Sequence, residues 1–179
     1  MAKKLSASQL KKALTAATKE QLIQEIMELF VKFDVVQNHI SLRMSPSDDG
    51  DVLEEYRMRV RKAMLPKSAF GEPRAMEARK QIGEYRKMAL NQAGVIDLML
   101  EFVECGVGFL KEMGDYKYSF YMSVQTMFGA ALKLIGKENL QMEFADRCRK
   151  IIHNASNMGY GVADEMAYDF NQFFRKPQK

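Results

Sequence analysis

Three carboxylates fall on one side of a single stretch of this chain. Asp97, Glu101 and Glu104 follow one another at steps of four and three residues, a spacing that aligns them on an α-helix. Carboxylates held this close can raise one another's pKa and support general acid–base catalysis. Because no histidine, cysteine nucleophile or nucleotide motif accompanies them, we interpret the stretch as a solvated acidic stripe.

The chain is poor in the side chains that bind transition metals. Its two histidines are His39 and His153, and its two cysteines are Cys105 and Cys148. A di-iron site in a helical bundle needs a glutamate three residues before each of two histidines, and neither histidine has one. A zinc site would use all four side chains without the usual paired spacing. We therefore predict no metal and no cofactor.

Closely spaced glycines occur at 106 and 108 and again at 159 and 161. A phosphate-binding loop needs further glycines and a preceding strand, so that backbone donors face the anion. Neither pair has them, and Gly136-Lys137 lacks the rest of a P-loop. We predict that these glycines serve helix packing or chain turning, and that Gly159-Tyr160-Gly161 turns the chain between two helices.

The positive charge is concentrated in one central segment. Residues 57–87 hold 10 Lys/Arg against 3 Asp/Glu, although the whole chain has a net charge of only +4. If two neighbouring helices carry this excess, it could form a surface for phosphates or for an acidic partner. Pairing with acidic residues elsewhere in the chain is the competing explanation. The candidate surface comprises Arg57, Arg59, Arg61, Lys62, Arg79, Lys80, Arg86 and Lys87.

Methionines and aromatic residues suggest a second candidate surface. The chain has 14 Met, and the flexible thioether adapts to varied partners. Most of these residues nevertheless fall at the spacing of a helical core, so we favour core packing. Exposure of Tyr118 or Tyr160 would favour an aromatic partner surface.

Helices are the elements that must position all these side chains. Four prolines in 179 residues leave long stretches unbroken, and apolar residues recur every three or four positions rather than alternating. We predict an all-α fold of about nine short antiparallel helices. We favour an irregular helical-hairpin array, with a closed orthogonal bundle as the alternative.

Capping residues and breakers set the predicted boundaries. Ser6 or Ser8, Thr18, Asp34 and Asp115 can cap helices at their amino ends, and Gly114 and Gly136 can end them. The acidic stretch 45–51 contains Pro and Gly and is the clearest loop. We predict one domain over 1–179, in which loop 45–51 joins an N-terminal helical hairpin, 5–44, to a helical body, 52–175.

Cellular location follows from the charged start and the two cysteines. The first residues carry lysines with no apolar segment behind them, and the longest uncharged run is too short and polar to cross a bilayer. We expect a cytoplasmic protein with reduced thiols.

Several weak motifs occur in a particular order along the chain. They are LSASQLKKALTAATKEQLIQEIMELFVKF, EARKQIGEYRKM, LMLEFVECGVGF, Gly114-Asp115 with Phe120-Tyr121, FADRCRKII and GYGVADEM. In this the chain resembles a family of uncharacterised bacterial all-helical proteins catalogued as a domain of unknown function. The family has Trp and His in the last motif, where this chain has Tyr160 and Ala163. The resemblance implies no activity and no functional residues.

Reactive constellations are missing, whereas helical arrays present faces suited to partners. We therefore expect a non-catalytic helical protein–protein interaction module that binds another protein or a second copy of itself. The alternative is salt-sensitive nucleic-acid binding through segment 57–87.

Overall fold

The computed structural model describes residues 5–44, 49–66, 68, 71–114, 116–156 and 158–174. Within these ranges the chain forms nine α-helices and no strand, which confirms the all-α prediction. No helix among the described residues is long and apolar enough to cross a membrane. The helices are α1 Ala7–Ala16, α2 Lys19–Lys32, α3 Asp34–Met44, α4 Asp49–Met64, α5 Ala75–Met88, α6 Ala93–Met113, α7 Tyr118–Glu138, α8 Gln141–Asn154 and α9 Val162–Phe174.

The core is organised around α6. This helix is apolar on nearly all sides, and it packs against α4, α5, α7 and α8. The extensive helix pairs of the described chain join helices that are adjacent or next but one in sequence, which is the contact pattern expected of a hairpin array. Because α6 contacts both α4 and α8, polar side chains on the sides of α6 that face those helices need partners there.

The N-terminal helices contribute nothing to this core. Neither α1 nor α2 has a buried residue, although both begin with complete capping boxes, Ser6 with Gln9 and Thr18 with Gln21. α2 packs against α3, whereas α1 packs extensively against no helix of the described chain. The joint between α1 and α2, Ala17 and Thr18, is extended. We call α1 and α2 together the N-terminal arm. This arm is therefore held by its own local structure more than by packing.

Several helix boundaries differ from those predicted. α4 begins at Asp49, so it includes the last three positions of the predicted loop 45–51; residues 45–48 and the cap at Asp115 lie outside the described residues. The predicted stop at Gly136 is wrong, because α7 continues to Glu138 and Asn139 closes it with a φ of 58°. A helical glycine costs only about 1 kcal/mol, and asparagine tolerates the left-handed conformation.

The glycine motif at 159–161 turns the chain, as predicted. α8 ends at Asn154 and α9 begins at Val162, and Tyr160 and Gly161 between them have φ values of 60° and 67°. Gly161 adopts this conformation without strain. At Tyr160 the same backbone conformation costs about 1–2 kcal/mol. Contacts of the Tyr160 ring must therefore offset that cost.

Candidate functional site

A cluster of ion pairs joins the three central helices α4, α6 and α8. From α4, the Arg57 guanidinium donates to Asp97 at 2.7 Å and 3.1 Å, and Arg61 donates to Glu101 at 2.5 Å and 3.2 Å. From α8, Arg147 donates to Asp97 at 2.6 Å and to the two carboxylate oxygens of Glu104 at 2.7 Å and 2.9 Å. Three arginines thus face three carboxylates.

Arg147 lies at the centre of this ion-pair cluster. Burial disfavours its cation, but hydrogen bonds and charges from Glu104 and Asp97 outweigh that cost and raise its pKa. The same balance raises the pKa of Arg57 through Asp97 and Glu54. For Arg61, the hydrogen bond from its guanidinium to Glu101 is the largest cause of a raised pKa. All three side chains are permanently charged.

The interpretation of a solvated acidic stripe is wrong. The Glu101 side chain is 6% exposed and the Asp97 side chain 18% exposed, and both are covered by arginines. A cavity of about 670 Å³ lies beside them, lined in part by Arg61, Glu101 and Glu104. Carboxylates already held by cations are poorly suited to accept a proton from a substrate, so this arrangement favours a structural role.

The two cysteines are buried and bear protonated thiols. Burial is the main cause that raises the pKa of Cys105 to about 12. The Glu101 carboxylate lies 3.5 Å from the Cys105 sulfur and raises this pKa further. Burial also raises the pKa of Cys148 to about 12. Because the thiolate is the nucleophilic form, neither side chain is activated for chemistry near neutral pH.

Four of the predicted basic residues lie on α5, outside the ion-pair cluster. Arg79 is half-buried, donates to the Ser123 carbonyl and hydroxyl oxygens at 2.9 Å and 3.0 Å, and has a pKa lowered by burial. Arg86 contacts the Met99 sulfur at 3.3 Å. The exposed ammonium of Lys80 lies 3.8 Å from Glu84, and Lys87 is exposed. Arg79 therefore serves the interior, while the others extend towards solvent.

The basic residues of α4 divide in the same way. Arg57 and Arg61 face the carboxylates of α6. Arg59 instead pairs with Glu55 on its own helix, and its guanidinium carbon lies 4.8 Å from the centroid of the Tyr56 ring. Lys62 is exposed. The structure thus brings α4 and α5 together as neighbours, but it turns some of their cations inward.

The predicted aromatic residues meet at the turn between α8 and α9. Tyr118 and Tyr160 are each 56% exposed. The Tyr160 ring lies 5.1 Å from Tyr118 and 5.0 Å from Tyr121, at steep angles typical of edge-to-face packing. These contacts offset the strained backbone of Tyr160. A cavity of about 590 Å³ opens beside Tyr121 and Tyr160.

A group of exposed large apolar side chains lies on α1, on α2 and at Phe33, the residue that ends α2. We call it the N-terminal apolar face. Its large side chains are 43–54% exposed, and they align on one broad side of each helix because they recur at three- and four-residue steps. The members are Leu10, Leu14, Ile23, Ile26, Met27, Leu29 and Phe33.

Charges flank the N-terminal apolar face unevenly. α1 carries Lys11 and Lys12 and no acidic residue, whereas α2 carries three glutamates, Glu20, Glu25 and Glu28, against two lysines, Lys19 and Lys32. Glu28 pairs with Lys32 at 3.0 Å, and its pKa is lowered by the hydrogen bond from that lysine. The remaining charges of the two helices form no ion pair within the described residues.

No metal site is assembled in the described part of the chain. No group of three or more His, Cys, Asp or Glu side chains lies close enough there to hold an ion. His153 is exposed at the end of α8, and His39 is partly buried on α3.

Sequence reasoning missed Arg147 and the open N-terminal apolar face. Arg147 shares a side of α8 with Phe144, Cys148 and Ile151, which are buried. An arginine placed among core positions is the signal that would have identified it, because such a charge needs a buried partner. For the N-terminal apolar face, the stripe was visible in the sequence, but nothing in the sequence shows whether a stripe is covered.

Comparison with known proteins agrees with the motifs quoted above. No curated protein and no solved structure matches the chain. A family model does match, over residues 5–174. The chain therefore belongs to the family of unknown function DUF6155.

Proposed function

We propose that this protein is a non-catalytic helical module that binds another protein through the N-terminal apolar face. The observation that carries the proposal is the absence of any buried residue in α1 and α2 beside seven large apolar side chains that are 43–54% exposed. Groups of large apolar side chains left exposed on one side of a helix are typical of interaction sites in soluble proteins. The helices are well capped, so the face is formed before a partner arrives.

The chemistry of the interior supports a non-catalytic role. Asp97, Glu101 and Glu104 are engaged by arginines, and both thiols are protonated near neutral pH. Two free, buried cysteines also suit a compartment that keeps thiols reduced, and they support our proposal of a cytoplasmic location.

The test is affinity capture from native extract with a variant that disrupts the face. Ile26→Glu combined with Phe33→Glu places two charges on exposed positions, so the fold is expected to survive. Met76→Glu combined with Met142→Glu is the matched control, since those methionines are 80% and 97% exposed and lie outside the face. We expect wild type and control to recover the same polypeptides by mass spectrometry and the Ile26/Phe33 variant to lose them.

Nuclease treatment separates protein from nucleic-acid partners in the same experiment. Partners bound through the N-terminal apolar face should survive the treatment, because apolar contacts do not depend on nucleic acid. Equal recovery by the face variant and the control would rule out this face as the binding site. Recovery that disappears after nuclease treatment would instead support the nucleic-acid alternative.

A further inference from the structure

The connection between α1 and α2 leaves α1 without a cover, whereas α2 contacts α3 but buries none of its residues. Ala17 and Thr18 are both extended, with ψ angles of 150° and 161°, and α1 does not pack extensively on α2. A two-residue loop is long enough to join two antiparallel helices. The short connection is therefore not what keeps α1 from folding back onto α2. The apolar side of α1 and the exposed apolar residues of α2 are therefore open to a helix from elsewhere.

The charges of the two helices are complementary. Lys11 and Lys12 stand at the middle of α1, and Glu25 stands at the middle of α2. When an α1 helix lies antiparallel across an α2 helix with the two midpoints aligned, Lys11 meets Glu25 at the rim of the apolar contact, and Lys12 adds positive charge from the far side of α1. Opposite charges placed so fix the register and speed the encounter.

Both members of the complementary pair belong to the same chain. Lys11 lies on α1 and Glu25 lies on α2, so two copies satisfy each other without a third component. Because each copy contributes one α1 and one α2, the contact forms twice.

We propose that the partner of the N-terminal apolar face is a second copy of this chain, with α1 of each copy lying antiparallel across α2 of the other. This inference rests on the proposed function and names its partner. The contact is two-fold symmetric, since α1 meets α2 in both directions, and such an interface closes at the dimer. The basic helix of each copy then faces the acidic helix of its neighbour.

Charge reversal and mixing test the exchange of α1. One variant carries Lys11→Glu and Lys12→Glu, and another carries Glu20→Lys and Glu25→Lys. Each makes α1 and α2 alike in sign, so self-pairing becomes repulsive. We expect wild type to sediment as a dimer and each variant to dissociate at least about 100-fold more readily. An equimolar mixture should restore the dimer, because each α1 then meets an α2 of opposite charge.

Controls separate this effect from misfolding and from net charge. Because α1 and α2 bury nothing, both variants should keep the helical circular dichroism and unfolding midpoint of dilute wild type. Lys133→Glu with Lys150→Glu changes the net charge by the same amount as the Lys11/Lys12 variant, at exposed positions on α7 and α8, and it should leave the dimer intact.

The outcomes distinguish this inference from the proposed function. A monomeric wild type, or a dimer that the mixture fails to restore, overturns the exchange of α1. If the chain is monomeric yet captures a different polypeptide that the Ile26/Phe33 variant loses, only the identity of the partner is wrong. If it is monomeric and capture is unaffected by that variant, the proposed function also fails.

Discussion

Arg147 stabilises the meeting of α6 and α8 by neutralising two carboxylates at once. Its guanidinium is planar and presents donors in a fixed fork, which lets it pair with both oxygens of Glu104 while a third nitrogen reaches Asp97. Arg57 shares Asp97 from the opposite side. Removing one cation therefore leaves more than one carboxylate short of a partner.

We expect Arg147→Met to lower the free energy of unfolding by about 2–4 kcal/mol, because breaking a buried ion pair strands a charge in the interior. Chemical denaturation measures the change. Arg149→Met is the matched control on the same helix, where an exposed arginine pairs with an exposed Asp146, and it should cost less than about 1 kcal/mol. Equal effects of the two substitutions would show that the ion-pair cluster contributes little.

Because the two thiols are buried, we predict slow chemical modification of both cysteines and a loss of folding stability at alkaline pH. With pKa values raised from 9.0 to about 12, Cys105 and Cys148 should resist a thiol reagent at pH 8 until the protein is unfolded. The unfolded chain releases these protons above about pH 9 while the folded chain keeps them, so their contribution to stability is complete below pH 9 and falls as pH rises towards 12. Rapid labelling of native protein at pH 8 would contradict the assignment.

At the scale of elements, Gly106 and Gly108 have opposite roles on the same helix. A Cβ atom added to Gly106 would lie 2.5 Å from a methyl group of Val124 on α7, whereas nothing lies within 4 Å of one added to Gly108. Val124 is buried and its β-branched side chain is stiff. Gly106 therefore sets how closely α6 and α7 approach.

We expect Gly106→Ala to destabilise the protein by about 1–3 kcal/mol through overpacking. Gly108→Ala should stabilise it by about 0.5–1 kcal/mol, because alanine favours the helix and fits the open space. Thermal or chemical denaturation of the two variants side by side gives the comparison. Equal effects of the two substitutions would contradict a packing role for Gly106.

The N-terminal arm and the central helix should differ in local stability. At concentrations low enough to keep the chain monomeric, backbone amides of α2 should exchange with solvent at least about 100-fold faster than those of α6, because α2 buries nothing and α6 is enclosed. Hydrogen exchange followed by mass spectrometry measures this. If protection of α2 rises with protein concentration, association covers the N-terminal apolar face. Equal protection of α2 and α6 in dilute protein would contradict an exposed α2.

The whole molecule exposes more surface than its mass requires. Its accessible area is 12205 Å², against about 8,900 Å² expected for a compact monomer of this mass. Part of that excess is apolar surface that the fold leaves uncovered at its N-terminal end. Association would reduce it, which connects the shape of the whole chain to the proposed binding role.

At the scale of the whole molecule, the cations of segment 57–87 form an exposed group and an inward-facing group, which can be tested separately. We expect Lys62→Glu, Lys80→Glu and Lys87→Glu together to change the free energy of unfolding by less than about 1 kcal/mol, because these residues are exposed. Arg57→Glu with Arg61→Glu should cost several kcal/mol by placing two anions against Asp97 and Glu101. If the segment binds nucleic acid, titration with a labelled oligonucleotide should show that the lysine variant loses a salt-sensitive interaction. An unchanged affinity would remove that alternative.

The amino-acid sequence by itself determined the helices and most of their ends. Apolar spacing is a local property, and so are the side-chain caps at Ser6 and Thr18 and the glycine-assisted turn at 159–161. Each depends on residues within a few positions of one another. Gly136 was misjudged because the choice between continuing and ending a helix was small in energy, and Asn139 offered a better stop three residues later.

Only the tertiary structure decided which stripes are covered and which charges meet. Arg57 and Asp97 are 40 residues apart and Arg147 and Asp97 are 50 residues apart, and no local pattern reports such a distance. The same spacing of apolar residues produced an enclosed α6 and an exposed α2. A period of 3.6 residues fixes which side of a helix is apolar, but what lies against that side depends on packing between distant parts of the chain.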